Sequence, residues 1–256
     1  FNAFSSNPPI LVFSSNRKVK DNQTKDTLHN IERTGEVVIN TVNYAIMRQM
    51  ALTSIEYPPG VNEFIKSGLT PIPSDTVKPF RVAESPAQME CKLKEIIALG
   101  DQGGAGHLII CEVTRIHIRE DVIDENDRID PHKMDLVGRM GRAFYVRASG
   151  AAIHTLFQPV EAIGMGFDQL PASIRHSPIL TGSELAEIAA LLVPPSYQDV
   201  IGFMETDEIE QIINAPENKH KDPAILLHEV AKNFIHRQNT EAAAMALYLA
   251  EHLRNK

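Results

Sequence analysis

The spacing of apolar positions changes near residue 150. Before it, short runs rich in apolar and β-branched residues alternate with turn clusters, as strands do. Residues 10–14, 36–41, 80–83, 107–118 and 143–147 are such runs. In 89–93, apolar Met89, Cys91 and Leu93 alternate with Glu90 and Lys92, which predicts a strand with Glu90 and Lys92 on a wet face. Two helices interrupt the strands. One covers 27–34, with Asp26 as N-cap and Gly35 as its stop, and a second covers about 43–51.

After residue 150 the period becomes helical. Residues 183–192 set Leu185, Ile188, Ala189 and Leu192 on one face, and Pro194–Pro195 ends the pattern. Thr206 is placed to cap a helix over 207–214. Asp222 and Pro223 open another helix, to His236, whose stripe is Leu227, Val230, Ala231 and Phe234. Thr240 precedes an alanine-rich helix ending near Leu253. The stripes require burial, which docking on the β-rich part or on a partner subunit would supply; the alternative is a self-contained helical bundle on a flexible connector. The division predicted is 1–150 as a β-rich domain and 151–256 as a connector with a helical extension.

Charge and composition narrow the function. The 256 residues carry 25 Lys and Arg against 33 Asp and Glu, a net charge of −8. That balance disfavours non-specific binding to nucleic acid or to an anionic membrane. No apolar run reaches the ~20 residues of a membrane span and no signal-peptide pattern opens the chain, so the expectation is a cytoplasmic protein. The two cysteines, Cys91 and Cys111, cannot form a disulfide framework or a four-ligand zinc site and read as small buried hydrophobes. Ten histidines form no compact ligand pair, so no metal site is expected. Gly103-Gly104-Ala105-Gly106 runs into a β-branched stretch rather than a helix, which makes it a loop leading into a strand and not a dinucleotide loop.

One constellation carries candidate chemistry. Ser14-Ser15-Asn16-Arg17 sits at a strand's exit, and Lys25-Asp26-Thr27-Leu28-His29-Asn30 opens a short helix about ten residues later. A helix N-terminus presents unpaired N–H groups and a positive dipole end, which favour phosphate. Thr27 can add a hydroxyl, and Arg17 and Lys25 can add charge. Spacing alone leaves two readings open: a phosphate cradle, or a capped helix beside solvated basic residues. Upstream, 2–9 is small and polar and then stiffened by Pro8–Pro9; alone it reads as a loop.

The run FNAFSSNPPILVFSSN with KDTLHNIERTGEVVIN resembles the flavin reductase-like group of FMN-binding split barrels. Further matching stretches are EYPPGVNEF at 56–64, RVAESPAQMECKL at 81–93, GHLIICEV at 106–113 and GRMGRAFYVR at 138–147. The resemblance implies a mainly β fold, a six-stranded antiparallel split β-barrel with short helices, here followed by a C-terminal α-helical extension. A strand ahead of Phe1 is also implied. So are FMN as cofactor, NAD(P)H as transient hydride donor, and a homodimer with the flavin near the subunit boundary. By the resemblance, Asn2, Ala3, Phe4, Ser5, Ser6 and Asn7 line the isoalloxazine and ribityl chain. Ser14, Ser15, Asn16 and Arg17 meet the ribityl-phosphate end, with Lys25, Asp26, Thr27 and Asn30 around the phosphate. Asp26 orients the loop rather than touching phosphate, since two anions repel. His107 resembles a position near the nicotinamide; a strand-edge histidine is the plain alternative. The implied activity is an NAD(P)H:flavin oxidoreductase whose reduced flavin serves a monooxygenase or an electron-transfer partner. The alternative is a flavoredoxin-like FMN electron carrier without NAD(P)H turnover. Because the cofactor carries the chemistry, no catalytic acid or base is expected.

Overall fold

The computed structural model describes residues 2–58, 60–156 and 164–254, which form two compact units, 1–154 and 155–256. Phe1 and Pro59, which belong to two of the matching stretches, and residues 157–163 of the connector lie outside the described residues.

The first unit is built on one antiparallel sheet. Its strands are β1 (Asn2–Ser6), β2 (Pro9–Asn16), β3 (Glu36–Asn40), β6 (Ala87–Ala98) and β7 (Gly106–Ile118), in the order β1-β2-β7-β6-β3. Between β3 and β6 come β4 (Pro71–Ile72) and β5 (Arg81–Val82), which pair with each other. After β7, β8 (Val137–Arg139) and β9 (Tyr145–Arg147) make a separate two-stranded ribbon. The helices of this unit are α1 (Asp26–Thr34), α2 (Met47–Thr53), α3 (Glu63–Ser67) and α4 (Pro131–Met134).

The expected six-stranded barrel is therefore a five-stranded sheet among the described residues, and it is not closed. Its ladder stops at β1 and β3 because the remaining strands, two or three residues long, find partners only among themselves. Residues 2–6, read alone as a loop, form an edge strand: a hairpin onto β2 supplies the pairing that their composition does not advertise. β6 runs five residues past the predicted end at Leu93, and a register shift between Leu93 and Glu95 is what breaks the alternation there.

β7 is paired along both edges, Ile10 to Asn16 opposite Glu112 to Gly106 on one side and β6 on the other. Its His107, Ile109 and Cys111 share one buried face. On that face Leu28 and Ile31 of α1 close over Ile109, with Phe13, Val37, Leu93 and Ile96 around them. Each such side chain, taken fully out of water, contributes about 1.5–3 kcal/mol. Cys91 and Cys111, both fully buried as free thiols, join Leu11 and Ile39 in the adjoining cluster.

Glu90 is not on a wet face. It is fully buried, and the reason lies in the loop before β5. Its Oε1 accepts from Asp75 N at 2.8 Å and from His117 Nε2 at 2.7 Å; its Oε2 accepts from the Thr76 N–H and hydroxyl, both at 2.6 Å. Arg81 Nε stands 3.7 Å away. Burial alone would raise the Glu90 pKa, but the hydrogen bonds from Thr76, Asp75 and His117 outweigh it and hold the carboxyl at about 2.

The second unit is helical: α5 (Ala172–Arg175), α6 (Gly182–Ala189), α7 (Tyr197–Met204), α8 (Asp207–Asn214), α9 (Pro223–His236) and α10 (Thr240–Arg254). The predicted stripes are buried within the unit itself. Leu185, Ile188, Leu227, Val230 and Phe234 share one core with α10, whose fully buried Ala243, Ala244, Ala246 and Ala250 let it approach closely. Leu192 is the exception: α6 stops at Ala189, and Leu192 is 53% exposed. Thr206 stands at the N-cap of α8 but makes no cap bond, because its hydroxyl donates to Phe203 O at 2.8 Å instead. Asp222 caps α9 as expected, accepting from Ala224 N at 2.8 Å.

His228, fully buried in this core, pairs its Nδ1 with Ser177 Oγ at 2.7 Å, while its Nε2 meets no partner among the described residues. Burial pushes its pKa below the ordinary value.

Two predictions come from these buried groups. Glu90→Ala leaves His117 and Arg81 facing an empty site and costs about 3–5 kcal/mol in urea unfolding. Because the folded pKa of Glu90 is below 4.5, its contribution is whole above pH 4.5 and is lost as pH falls toward 2; Glu90→Gln removes that part of the acid dependence. Equal acid midpoints for wild type and Glu90→Gln would contradict this. For His228 the folded state prefers the neutral ring, so its contribution is whole above the ordinary pKa, about 6.5, and drains as pH falls below it. Melting temperature should fall faster below pH 6.5 in wild type than in His228→Leu.

Candidate functional site

The exit of β2 is tied down by the Gly103–Gly106 turn. Arg17 N donates to Ala105 O at 2.8 Å and Gly104 N donates to Arg17 O at 3.1 Å. A Cβ at Gly103 would lie 2.9 Å from Val19 O and 3.1 Å from Lys18 O; at Gly106 it would lie 2.6 Å from Ser14 Oγ. The glycines thus serve the close approach of this turn to the 14–19 segment, and β7 starts at Gly106, one residue before the predicted start at His107. Farther on, Lys18 N bonds Gln23 O at 2.8 Å, and the Arg17 guanidinium donates through Nη1 to Asn22 O at 2.8 Å. The loop is held from both ends.

A cleft of about 580 Å³ opens between this loop and α1, within the usual range of small-molecule sites. Arg17 and Lys18 form one wall. Gln23 and Thr24 lead from it to Asp26, Leu28, His29 and Glu32 on α1, and Tyr57 and His107 complete the lining. The floor follows from the core: α1 is docked by Leu28 and Ile31, so its first turn is set beside the start of β7. His107, 7% exposed, directs Nδ1 to the Ser15 carbonyl at 3.2 Å. A carbonyl only accepts, so Nδ1 is the donor, and in that tautomer Nε2 is the acceptor. Two buried polar atoms here lack partners among the described residues, Arg17 Nε and Ser15 Oγ. Unpaired buried donors are costly to keep, so both are groups that a bound ligand or water would satisfy.

The predicted site residues divide. Arg17, Asp26 and His107 meet in the cleft. Ser15 lies beneath it, bonded to His107, and Ser14 Oγ donates to Asn16 Oδ1 at 3.0 Å at the end of β2. Asp26 is not the N-cap but the first residue of α1; Lys25 is the N-cap and makes no side-chain cap bond. Lys25 and Thr27 are exposed and do not line the cleft, and neither does Asn30, whose side chain accepts from Arg33. Asn2, Ala3, Phe4, Ser5 and Ser6 lie exposed on β1, and Asn7 in the turn after it. β1 runs from Val12 toward Pro9, away from Arg17, so Asn7 is about 25 Å from the cleft by strand rise. Lys18, Gln23, Thr24, His29, Glu32 and Tyr57 are cleft residues that the sequence did not single out. His29 and Glu32 repeat at helical spacing from Asp26 and could have been read as one face; Tyr57 is brought in from a distant loop and left no local signal.

Asp75, Glu90 and His117 are close enough to share a cation, but Glu90 is already saturated by N–H and O–H donors, and Arg81 and Arg115 stand beside the group. That chemistry is structural.

The matches to known proteins agree with this frame. The family model for the flavin reductase like domain matches residues 1–134, half of the chain, and the chain belongs to that family. A protein from Aquifex aeolicus (strain VF5) is 39% identical over 151 residues, 59% of this chain and 74% of its own length. Among solved structures, nitrilotriacetate monooxygenase component B from Bacillus cereus is 28% identical with a TM-score of 0.54, covering 62% of this chain and 75% of that one. The 2-nitrobenzoate 2-nitroreductase NbaA of Pseudomonas fluorescens is 26% identical with a TM-score of 0.53, covering 67% and 76%. A split barrel domain protein from Shewanella frigidimarina NCIMB 400 is 26% identical with a TM-score of 0.52, covering 61% and 75%. No described helix is long and apolar enough to cross a membrane.

The turn behind the cleft is testable. Gly103→Ala drives a Cβ into backbone and should cost about 1–3 kcal/mol with faster proteolysis at 17–24. Gly106→Ala meets side-chain atoms rather than backbone, Ser14 Oγ at 2.6 Å, Asn16 Oδ1 at 3.3 Å and Leu99 Cδ1 at 3.5 Å, which can shift, so its cost should be smaller. The reverse order in urea titrations would refute this account of the turn.

Proposed function

We propose that the protein is an FMN-dependent NAD(P)H:flavin oxidoreductase, with the phosphate end of the flavin held in the Arg17–His107 cleft. The observation that carries this reading is the half-buried Arg17, whose buried Nε has no partner among the described residues, beside the first turn of α1. A guanidinium and a helix N-terminus together suit a phosphate. Flavin, when bound, supplies the two-electron acceptor chemistry for a hydride from a nicotinamide.

The chain's own work is positioning. Arg17 and Lys18 provide charge for the phosphate, and Thr24 and Gln23 provide hydrogen bonds. His107, with its proton fixed on Nδ1 by Ser15, offers Nε2 to a donor on the ligand. Ser14, Ser15 and Asn16 support the ribityl end from the strand exit. Lys25, Thr27 and Asn30 flank the α1 end from outside the lining, contributing field rather than contacts. Asn2 to Asn7 reach the ring only if it extends along β2, or if a second copy of the chain completes the site. The proposed homodimer, with flavin at the subunit boundary, accommodates that arrangement. Reduced flavin then serves a monooxygenase or an electron-transfer partner; the component B likeness favours the first.

The test is direct. The purified protein should bind FMN, and NADH or NADPH should bleach the flavin band in stopped flow. FMN binding without bleaching by either nucleotide would leave the electron-carrier reading in its place. Arg17→Ala should weaken FMN binding by about 1.5–3 kcal/mol, the worth of a charge-assisted hydrogen bond. Sedimentation equilibrium should give twice the mass of one chain; a monomer that binds FMN tightly would rule out the shared site.

A further inference from the structure

In the helical unit, the Ser177 hydroxyl lies on the link between α5 and α6 and is fully committed. Its Oγ accepts from Ile179 N at 3.2 Å and from Leu180 N at 3.1 Å, and it stands 2.7 Å from His228 Nδ1 on α9. A hydroxyl oxygen has two acceptor sites, and the two N–H groups fill them. Ser177 therefore donates its own proton to Nδ1, and the neutral ring carries its proton on Nε2, the atom with no partner among the described residues. The arrangement suits one protonation state only. An imidazolium has two donors and no acceptor. Its Nδ1–H would be a third donor aimed at an oxygen with two sites, and the Ser177 proton would lose its acceptor.

One of these bonds must then break. His228 and Leu180 are buried, so water does not replace the lost bond while the turn stays closed. The charges facing the ring do not hold the cation in place. Asp222 at the start of α9 and Glu251 on α10 favour it, but Arg254 on α10 opposes it, and burial outweighs all three. Asp222 is already engaged by Ala224 N, and Glu251 by the Ser173 hydroxyl. Lys232, one turn along α9, adds a second positive charge where its Nζ donates to Ile179 O at 3.3 Å. Arg175 and His176, beside Ser177, are exposed. His236 Nε2 lies 3.0 Å from Glu184 Oε1, so protonation there tightens the start of α6 rather than loosening it.

We propose that Ser177 and His228 form a proton-operated latch: protonation of the ring releases the 177–180 turn and α5 from α9, while the α9–α10 pair stays packed. The opening is local, because the latch joins one connecting turn to a helix whose own core is made with α10. The turn leads directly into Thr181, the N-cap of α6, so the same event frees the entry to that helix. The latch belongs to the helical unit and does not depend on the flavin reading.

The test is amide hydrogen exchange on the full chain at about pH 7.5 and about pH 5.5, corrected for the pH dependence of intrinsic exchange. Protection over 172–181 should fall about tenfold in acid, since the released ring regains its ordinary pKa of about 6.5, one unit above the lower pH. Protection in α9 and α10 should change less than about twofold. His228→Gln can accept from Ser177 at either pH, and it should keep the 172–181 segment closed in acid. Ser177→Ala should open that segment at neutral pH without acid. Wild type alone decides the matter should the first variant not fold: an unchanged segment, or an equal loss across all four helices from α6 to α9, would overturn the latch. So would wild-type protection at pH 7.5 in Ser177→Ala, or an undiminished acid response in folded His228→Gln.

Discussion

The register of β2 on β7 is the constraint on which the first unit depends. Opposite faces of a strand alternate with every residue, so a slip of one position would turn Ile109 and Cys111 out of the core and His107 out of the cleft. The pairing of Ser15 with His107 and of Asn16 with Gly106 fixes where the chain leaves the sheet. Arg17 is the next residue. Its backbone is clasped by Ala105 and Gly104, so the register of a sheet is converted into the position of one guanidinium.

At the other end of β7 the same strand is secured by a buried ion. Glu90 gathers donors from two segments, His117 of β7 and the adjacent Asp75 and Thr76 of one loop, and each offsets part of what burying a carboxylate costs. The arrangement joins a loop with little secondary structure, residues 73–80, to the middle of the sheet. Hydrophobic contact could hold that loop, but it would not dictate which residue meets which. The two histidines of β7 thus serve opposite purposes: His117 satisfies an ion inside the fold, and His107 keeps an acceptor available beside the cleft.

The helical unit solves a different problem. Its helices are short, eight residues in α6, α7 and α8, and such helices are marginal alone. Capping boxes at Thr181–Glu184 and Ser196–Asp199 define two of the starts, and the α9–α10 pair supplies the core. The family match ends at residue 134, before this unit begins, and the unit has a core of its own.

The sequence by itself determined the elements whose signals are local. The strands at β2, β3 and β7, helix α1 with its stop at Gly35, and α8 and α9 all announce themselves through periodicity and caps, since both depend on residues within one or two turns. The family is equally legible, because a series of short motifs in fixed order is carried by the chain itself. The candidate site was only half legible. Arg17, Asp26 and His107 could be named, being attached to a strand exit, a helix start and a strand start. Tertiary structure alone decided the rest. β1 became a strand because β2 offered an edge, Glu90 went inside because a distant loop brought its donors, and the barrel stayed open because its remaining strands were too short to bridge it. Lys18, Thr24, His29, Glu32 and Tyr57 became one lining because Leu28 and Ile31 dock α1 over Ile109. That docking brings residues far apart in sequence to one surface, and no local pattern records a contact made across 80 positions of chain.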